Sequence, residues 1–289
     1  MIKKDKLLAK LKEIDDMELI GNVPDNVSIE NFSNFSRENI KQEIKAILGL
    51  DIYKYSDYED EKQSLIPLIF DLLLDNTCQY TCVAEKTLSK DINIQNNFIP
   101  TGDGGFIIFQ TPLHALVFNL YFFAVLHIFN SGHFSPRLSK YIGELNIRST
   151  ITYDNVFNYE NNWYGKAIIK NSRILSRDKL NRFLIDEETY NYFMKKFNGI
   201  ETLSIIKDTT FKQIMNIRDD FHSILFDGRN NNLLRNIHIQ KVEETWAKNT
   251  KLNIYNLEIQ FHATSSLNDN EVSYIFTLGN SNVANITNK

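Results

Sequence analysis

Apolar and polar positions fall into blocks of changing period along the chain. Residues 44–53, I-K-A-I-L-G-L-D-I-Y, form a nearly unbroken apolar run of strand length, and Ala46, Ile47, Leu48, Leu50 and Ile52 predict a central strand. From about Asp60 to Asn76 the period becomes helical, with Ile66, Ile69, Leu72 and Leu73 inward, Pro67 near the first turns, and 79–88 as an extension. Residues 98–109, F-I-P-T-G-D-G-G-F-I-I-F, are two apolar runs around an Asp-Gly turn, the pattern of a tight hairpin with Asp103 at its tip. Thr111-Pro112 then marks a helix start, because proline fits the first helical turn. The helix it opens, Leu113 to Phe129, is broken by His114, Asn119 and His127 and reads as a buried helix, not a membrane span.

Further on, Leu145–Tyr153 alternates as a strand, 158–162 reads as a loop, Lys166–Leu175 as a helix, Phe183–Ile185 as a strand and Thr189–Phe197 as a helix. Beyond Gly199 short apolar pieces (221–225, 233–234) lie among Asn-rich loops, followed by strands at Leu252–Phe261 and Val272–Leu278. Near the start, Leu7, Leu8, Leu11 and Ile14 stripe a helix over 3–17, and Gly21–Ser36 reads as a linker. These elements predict an α+β fold, one sheet with helices mainly on one face. The expected division is an N-terminal helical extension over 1–41, a core over 42–198, and a C-terminal α/β extension over 199–289 packed on that core through strands and Trp246.

Composition narrows the function classes. The chain has 289 residues, 43% of them apolar, and a net charge of −4, which argues against a nucleic-acid surface but not against a nucleotide pocket. Cys78 and Cys82 lack the second pair or nearby histidine that zinc needs, and the usage suits a reducing cytoplasm. The opening M-I-K-K-D-K-L-L has no apolar stretch long enough for a signal peptide, so a cytoplasmic protein without membrane contact is expected.

Two acids stand out. Asp51 interrupts a buried strand, where a charge is costly unless paired or bound to metal, and Asp103 tips a glycine-lined turn open to a ligand. If the strand and hairpin share a sheet, the two carboxylates converge and repel unless something positive lies between them. A pair of divalent ions facing a triphosphate is one answer, in which one ion lowers the pKa of an attacking hydroxyl and the other neutralises leaving phosphates; unrelated structural acids are the other.

At these residues the chain resembles the class III nucleotidyl cyclases. G-L-D-I-Y-K-Y-S at 49–56 looks like their first metal motif, T-G-D-G-G-F at 101–106 like the second, and W-Y-G-K-A-I-I-K-N-S-R at 163–173 like the later catalytic segment. The likeness covers residues 42–190, with the strand near 252–261 as a further element, and implies a ferredoxin-like core. It implies metal ligation of Mn²⁺ or Mg²⁺ by Asp51, Asp103 and the Ile52 carbonyl, and transition-state stabilisation by Arg173. In the family that arginine comes from the opposite protomer, which implies a homodimer with composite sites. The 3′-hydroxyl of a nucleoside triphosphate would attack its own α-phosphate, giving a 3′,5′-cyclic nucleotide and pyrophosphate.

Departures shape the substrate expectation. Ile169 stands where the family pattern has asparagine, and Asn171 lies nearby but on another side of the helix. The base-reading Lys and Asp of adenylate-making members are Ile99 and Asn162 here, and the Glu of guanine-selective members is missing. This looks like the pyrimidine cyclases of bacterial antiphage systems, with UTP expected before CTP and a separate effector reading the product. Tyr53 is a candidate sugar or base contact, Lys248 and Lys251 are candidates for the triphosphate tail, and Arg148 is either a phosphate contact or a surface charge. A cyclase-like sensor without turnover, a purine cyclase, and an unrelated two-metal hydrolase or nucleotidyltransferase are the alternatives.

Overall fold

The structure is a computed structural model, in which residues 9–10, 29–84, 97–159, 162–179, 182–197, 222–223, 237–247, 250–267 and 270–279 are described. Most of the helix expected over 3–17, most of the apolar pieces at 221–225 and 233–234, and Lys248 lie outside these residues.

The central strand is β1 (Gln42–Ile52), and its alternation decides the architecture. Leu48, Leu50 and Ile52 point into one core, shared with α2 (Asp60–Ala84) and α3 (Pro112–Asn130) through Ile66, Leu73, Phe118 and Phe122. Each fully buried side chain of this size contributes roughly 1.5–3 kcal/mol, so this face alone anchors the strand firmly. Ile47 points the other way, into a second cluster with Phe106, Ile108, Val156 and Ala167. A strand buried on both faces explains why its sequence is a run and not an alternation.

β1 is followed by a short 3₁₀ turn (Tyr55–Asp57), then by α2. Pro67 lies inside α2, where it removes the N–H that would bond the Gln63 carbonyl. The Tyr55 hydroxyl donates to that carbonyl instead, at 3.0 Å. The hairpin is found where expected, as β2 (Phe98–Pro100) and β3 (Gly104–Phe109). Thr111 caps α3, its side chain accepting from His114 N–H, with Pro112 at the first helical position. α3 is long and apolar enough to cross a membrane by composition, but 72% of its apolar window is buried inside the protein. It fills the core with Phe118, Phe122 and Phe129, none of them exposed. The short α4 (Pro136–Ile142) leads to β4 (Ile147–Tyr159).

β4, β1, β3 and β2 are neighbours in that order, each pair antiparallel. With α2 between β1 and β2 and α3 between β3 and β4, this is the expected ferredoxin-like connection of strands and helices. The segment read as a loop at 158–162 is instead the end of a strand pair. β4 runs to Tyr159 and β5 (Asn162–Gly165) pairs back on it, with Tyr164 stacked on Phe157. α5 (Lys166–Leu175) then crosses to β6 (Phe183–Asp186), parallel to β4. It covers the sheet face opposite α2 and α3, through Ala167 among Ile47, Phe106 and Val156. α6 (Glu187–Phe197) returns to the first face, where Phe193 joins the main core.

Further differences from expectation lie outside the core, where Trp246, expected to pack on it, is 66% exposed. α1 (Ile29–Asn39) occupies much of the stretch read as a linker, which its Ile29, Phe32, Phe35 spacing accommodates. The sheet also continues into a strand the sequence pattern did not predict. After the short β7 (His222–Ser223), β8 (Ile237–Ala247) pairs with β9 (Thr250–Leu267), which pairs with β6 on its other edge and with β10 (Asn270–Leu278). β8 is an edge strand with a register shift between Lys241 and Glu243, and both features dilute its alternation.

Candidate active site

The site lies at the end of β1 on the face that α5 covers. Asp51 pairs in register with Gly104, and the Ile52 N–H donates to the Asp103 carbonyl at 2.9 Å. The hairpin sequence permits this closeness. Gly102 takes a left-handed φ of 100° in the turn. Gly104 lies so close to β1 that a Cβ there would come within 2.1 Å of the Leu50 carbonyl oxygen. Any larger residue would push the turn, and Asp103 with it, away from Asp51.

Backbone pairing thus brings Asp51 and Asp103 side by side, and their carboxyls interact. The Asp51 carboxyl is held above the usual carboxylate range, first by burial and further by the negative charge of Asp103. Arg148 opposes both. It lies directly across from Asp51 on β4, its Nε is 2.7 Å from Asp51 Oδ2, and a second guanidinium nitrogen makes a short contact with the same oxygen. The side chains of Arg148 and Asp51 are only 20% and 14% exposed, so Arg148 is not a surface charge. Its guanidinium lies 5.5 Å from the centre of the Tyr53 ring and donates to the Asp178 carbonyl at 3.3 Å. Asp178 is itself buried and paired with Arg182. A cation is thus fixed between one carboxylate, an aromatic face and a carbonyl, beside a second carboxylate.

Among the described residues no group of three or more His, Cys, Asp and Glu side chains is arranged to hold a metal. The donor set on offer is smaller and purely oxygen: two adjacent carboxylates and the Ile52 carbonyl. That set suits Mg²⁺ or Mn²⁺, which use one or two carboxylates and complete their shell with water and phosphate.

The other expected residues are distributed as follows. Tyr53 stands beside Arg148, with Lys54 Nζ 5.7 Å from the centre of its ring. Ile99 is half-buried against the second cluster, together with Trp163, while Asn162 is exposed on β5. Arg173 lies half-buried on α5. Ile169 is 51% exposed on the same helix, whereas Asn171 is fully buried against the sheet and is no stand-in for the asparagine of the resembled pattern. Lys251 is surface-paired with Glu244 at 2.8 Å, near the turn between β8 and β9.

Sequence reasoning left Arg148 undecided because its pairing depends on strand register, and it missed the charge cluster around Lys170 of α5. There Lys170 Nζ lies 2.7 Å from Asp154, 2.8 Å from Glu188 and 3.5 Å from Asp186. These partners hold the Lys170 ammonium well above its usual range despite burial. Alternation along β4 and the helical period of α5 place Asp154 and Lys170 inward, the one sequence signal that marks this cluster.

No protein-family model and no curated protein matches the chain. Solved structures similar to it include the adenylyl cyclase CyaB from P. aeruginosa, at 14% identity and a TM-score of 0.40, covering 76% of this chain and 95% of that one. An adenylate/guanylate cyclase/hydrolase from Silicibacter pomeroyi is 12% identical with a TM-score of 0.41, over 75% of this chain and 97% of that one. The catalytic core of a rhodopsin-guanylyl cyclase in complex with ATPαS is 13% identical with a TM-score of 0.43, over 76% and 97%.

Proposed function

We propose that the chain is a nucleotidyl cyclase that converts a nucleoside triphosphate to its 3′,5′-cyclic monophosphate and pyrophosphate. The observation that carries this reading is the meeting of Asp51 and Asp103 across β1 and the hairpin, with a fixed arginine beside them. In the reaction the ribose 3′-oxygen forms a bond to the α-phosphorus. The bond from that phosphorus to the bridging oxygen breaks, pyrophosphate leaves, and the hydroxyl proton is lost. Divalent ions at such a site lower the pKa of the hydroxyl and neutralise the leaving phosphates.

The chain's own residues do the rest. Asp51, Asp103 and the Ile52 carbonyl would hold the ions. With ions bound, Arg148 beside Asp51 would be placed to receive the phosphates; planar bidentate recognition favours arginine for this task. Tyr53 flanks that guanidinium and shields it from water. Arg173 stabilises charge developing on the transferred phosphoryl group, from the opposite protomer of a homodimer. Ile99 offers the base no hydrogen bond and the Asn162 amide offers both a donor and an acceptor, so the site lacks the purine-reading residues of the resembled family; the pyrimidine, UTP before CTP, rests on that resemblance. A cyclic pyrimidine nucleotide suits a cytoplasmic second messenger read by a separate effector, as in antiphage defence.

The test is incubation with each of the four nucleoside triphosphates and Mn²⁺, with mass detection of cyclic products. A cyclic pyrimidine product, lost in Asp103→Ala while dimerisation persists, is expected. No cyclic product from any nucleotide refutes the cyclase reading; undiminished turnover in that variant refutes the role given to Asp103, and a cyclic purine product refutes only the base assignment. A second reading, nucleotide binding without turnover, draws on Ile169, whose exposed apolar side chain cannot donate a hydrogen bond. Tight nucleotide binding without product distinguishes it.

A further inference from the structure

We infer that Asn171 is a positioning residue: seated in the notch left by Gly49, it fixes the height of α5 above the sheet and thereby the position from which α5 presents Arg173 to the site of the opposite protomer. The functional half of this inference rests on the cyclase reading above; the contact itself does not.

Asn171 is completely buried. Its Nδ2 lies 2.8 Å from the Ile47 carbonyl on β1, 3.1 Å from the Thr150 carbonyl on β4 and 3.3 Å from Thr152 Oγ1. Backbone carbonyls only accept, so the amide nitrogen must face them and the amide oxygen must face away. One side chain thus ties the helix to both central strands of the core. The oxygen goes to Gly49, where a Cβ would stand 1.9 Å from Asn171 Oδ1 and 3.0 Å from its Cγ. The amide occupies the volume a side chain on residue 49 would need, so the two positions form a fitted pair.

The pair is not the arrangement that stability alone would select. Asn171 Oδ1 and Thr150 Oγ1 are both buried without a hydrogen-bond partner. Such groups carry a desolvation penalty that an apolar pair of the same volume avoids. What the amide adds is direction. Hydrogen bonds to two strands define a helix position, whereas apolar contact lets the helix slide. Placement completes the case. Gly49 is two residues from Asp51 on the same face of β1, and Asn171 is two residues from Arg173 on α5. Two further polar anchors of α5, Lys170 on Asp154 and the Thr152 hydroxyl on the Ala167 carbonyl at 2.8 Å, meet β4 where it pairs with Lys45 and Ile47, farther along β1 from Asp51. Asn171, which also bonds the Thr150 carbonyl, reaches closer to Asp51 than either of these.

The experiment is a cycle of Gly49→Ala, Asn171→Ala and the double variant in the whole chain, read by thermal melting, by hydrogen exchange of the 166–175 amides, and by kcat and KM with Mn²⁺ and the preferred nucleotide. Gly49→Ala alone is expected to lower the melting midpoint sharply, and the double variant to recover several degrees of it, because Asn171→Ala vacates the space. Asn171→Ala is expected to speed exchange within 166–175 by about tenfold or more, and to lower kcat at least tenfold with KM within about twofold. Recovery of melting without recovery of kcat in the double variant separates positioning from packing. Additive melting changes, unchanged exchange, or a kcat near that of the parent overturn the inference. A parent inactive on every nucleotide sinks the cyclase reading and the role assigned to Arg173, while non-additive melting and faster exchange still establish the seat of Asn171.

Discussion

Substituting Asp186 by asparagine tests the electrostatics that hold α5 and α6 on the sheet. Asp186 is 2% exposed, and its Oδ1 accepts from the Thr189 N–H at 3.0 Å and the Tyr153 N–H at 3.2 Å. Its carboxyl is pushed up to about 7 from an ordinary 3.8, first by burial and then by hydrogen bonding to Glu188, whose charge adds to the rise; Lys170 opposes it. Glu188 moves the opposite way, held below its usual range by the Asp186 and Lys170 hydrogen bonds. For Asp186 the folded state keeps a proton between about pH 4 and 7 that the unfolded chain has released. Its contribution to stability is therefore highest below about pH 4, falls as pH rises toward 7, and levels off above that. A shift of about three units corresponds to about 4 kcal/mol at most. The amide of the D186N variant retains an acceptor for Thr189 and a donor for Glu188 but does not titrate, so it mimics the protonated acid at every pH. Urea unfolding at steps from about pH 4 to about pH 8.5 is expected to show D186N matching the parent near pH 4 and exceeding it by up to about 4 kcal/mol at about pH 8. A variant less stable than the parent at the alkaline end, or a difference that does not change with pH, refutes the reasoning.

Three further outcomes are expected. Mn²⁺ raises the melting midpoint of the parent by mass action, and Asp51→Asn or Asp103→Asn removes that rise; a rise that survives both places the ion elsewhere. Lys54 adopts a left-handed φ of 57°, and its ion pair with Asp57 is long at 3.8 Å and exposed, so Lys54→Gly should stabilise the fold by about 0.5–1 kcal/mol in chemical denaturation, and a loss of stability would count against the strain argument. Tyr55→Phe should cost about 1 kcal/mol, and less when Pro67→Ala supplies an N–H to the Gln63 carbonyl; equal costs in the two backgrounds mean that Tyr55 does not serve that carbonyl.

Much of this arrangement was legible in the chain because the periods are strong. β1 is an apolar run flanked by acids, the hairpin carries its turn residues, and α3 carries its own start signal in Thr111-Pro112. What was not legible depends on register between distant segments. Nothing at Arg148 announces that it faces Asp51, 97 residues away, and its meaning changes from surface charge to partner only once β4 is aligned. The same holds for Asn171, whose partner is a missing side chain at Gly49. β8 escaped because an edge strand carries polar residues on both faces and its shift breaks the alternation, while α1 was hidden by the Asn and Ser residues between its apolar positions.

β6 carries Phe183, Leu184 and Ile185 with no exposure at all, and one of its two edges is covered by β9. A shortened version of the chain ending after α6 would strip that cover and leave a short, greasy, unpaired ribbon facing solvent, the kind of surface on which copies stick together. Insolubility of such a fragment would then say nothing about whether its β1–α6 core is sound; the later strands act as the lid on an adhesive edge.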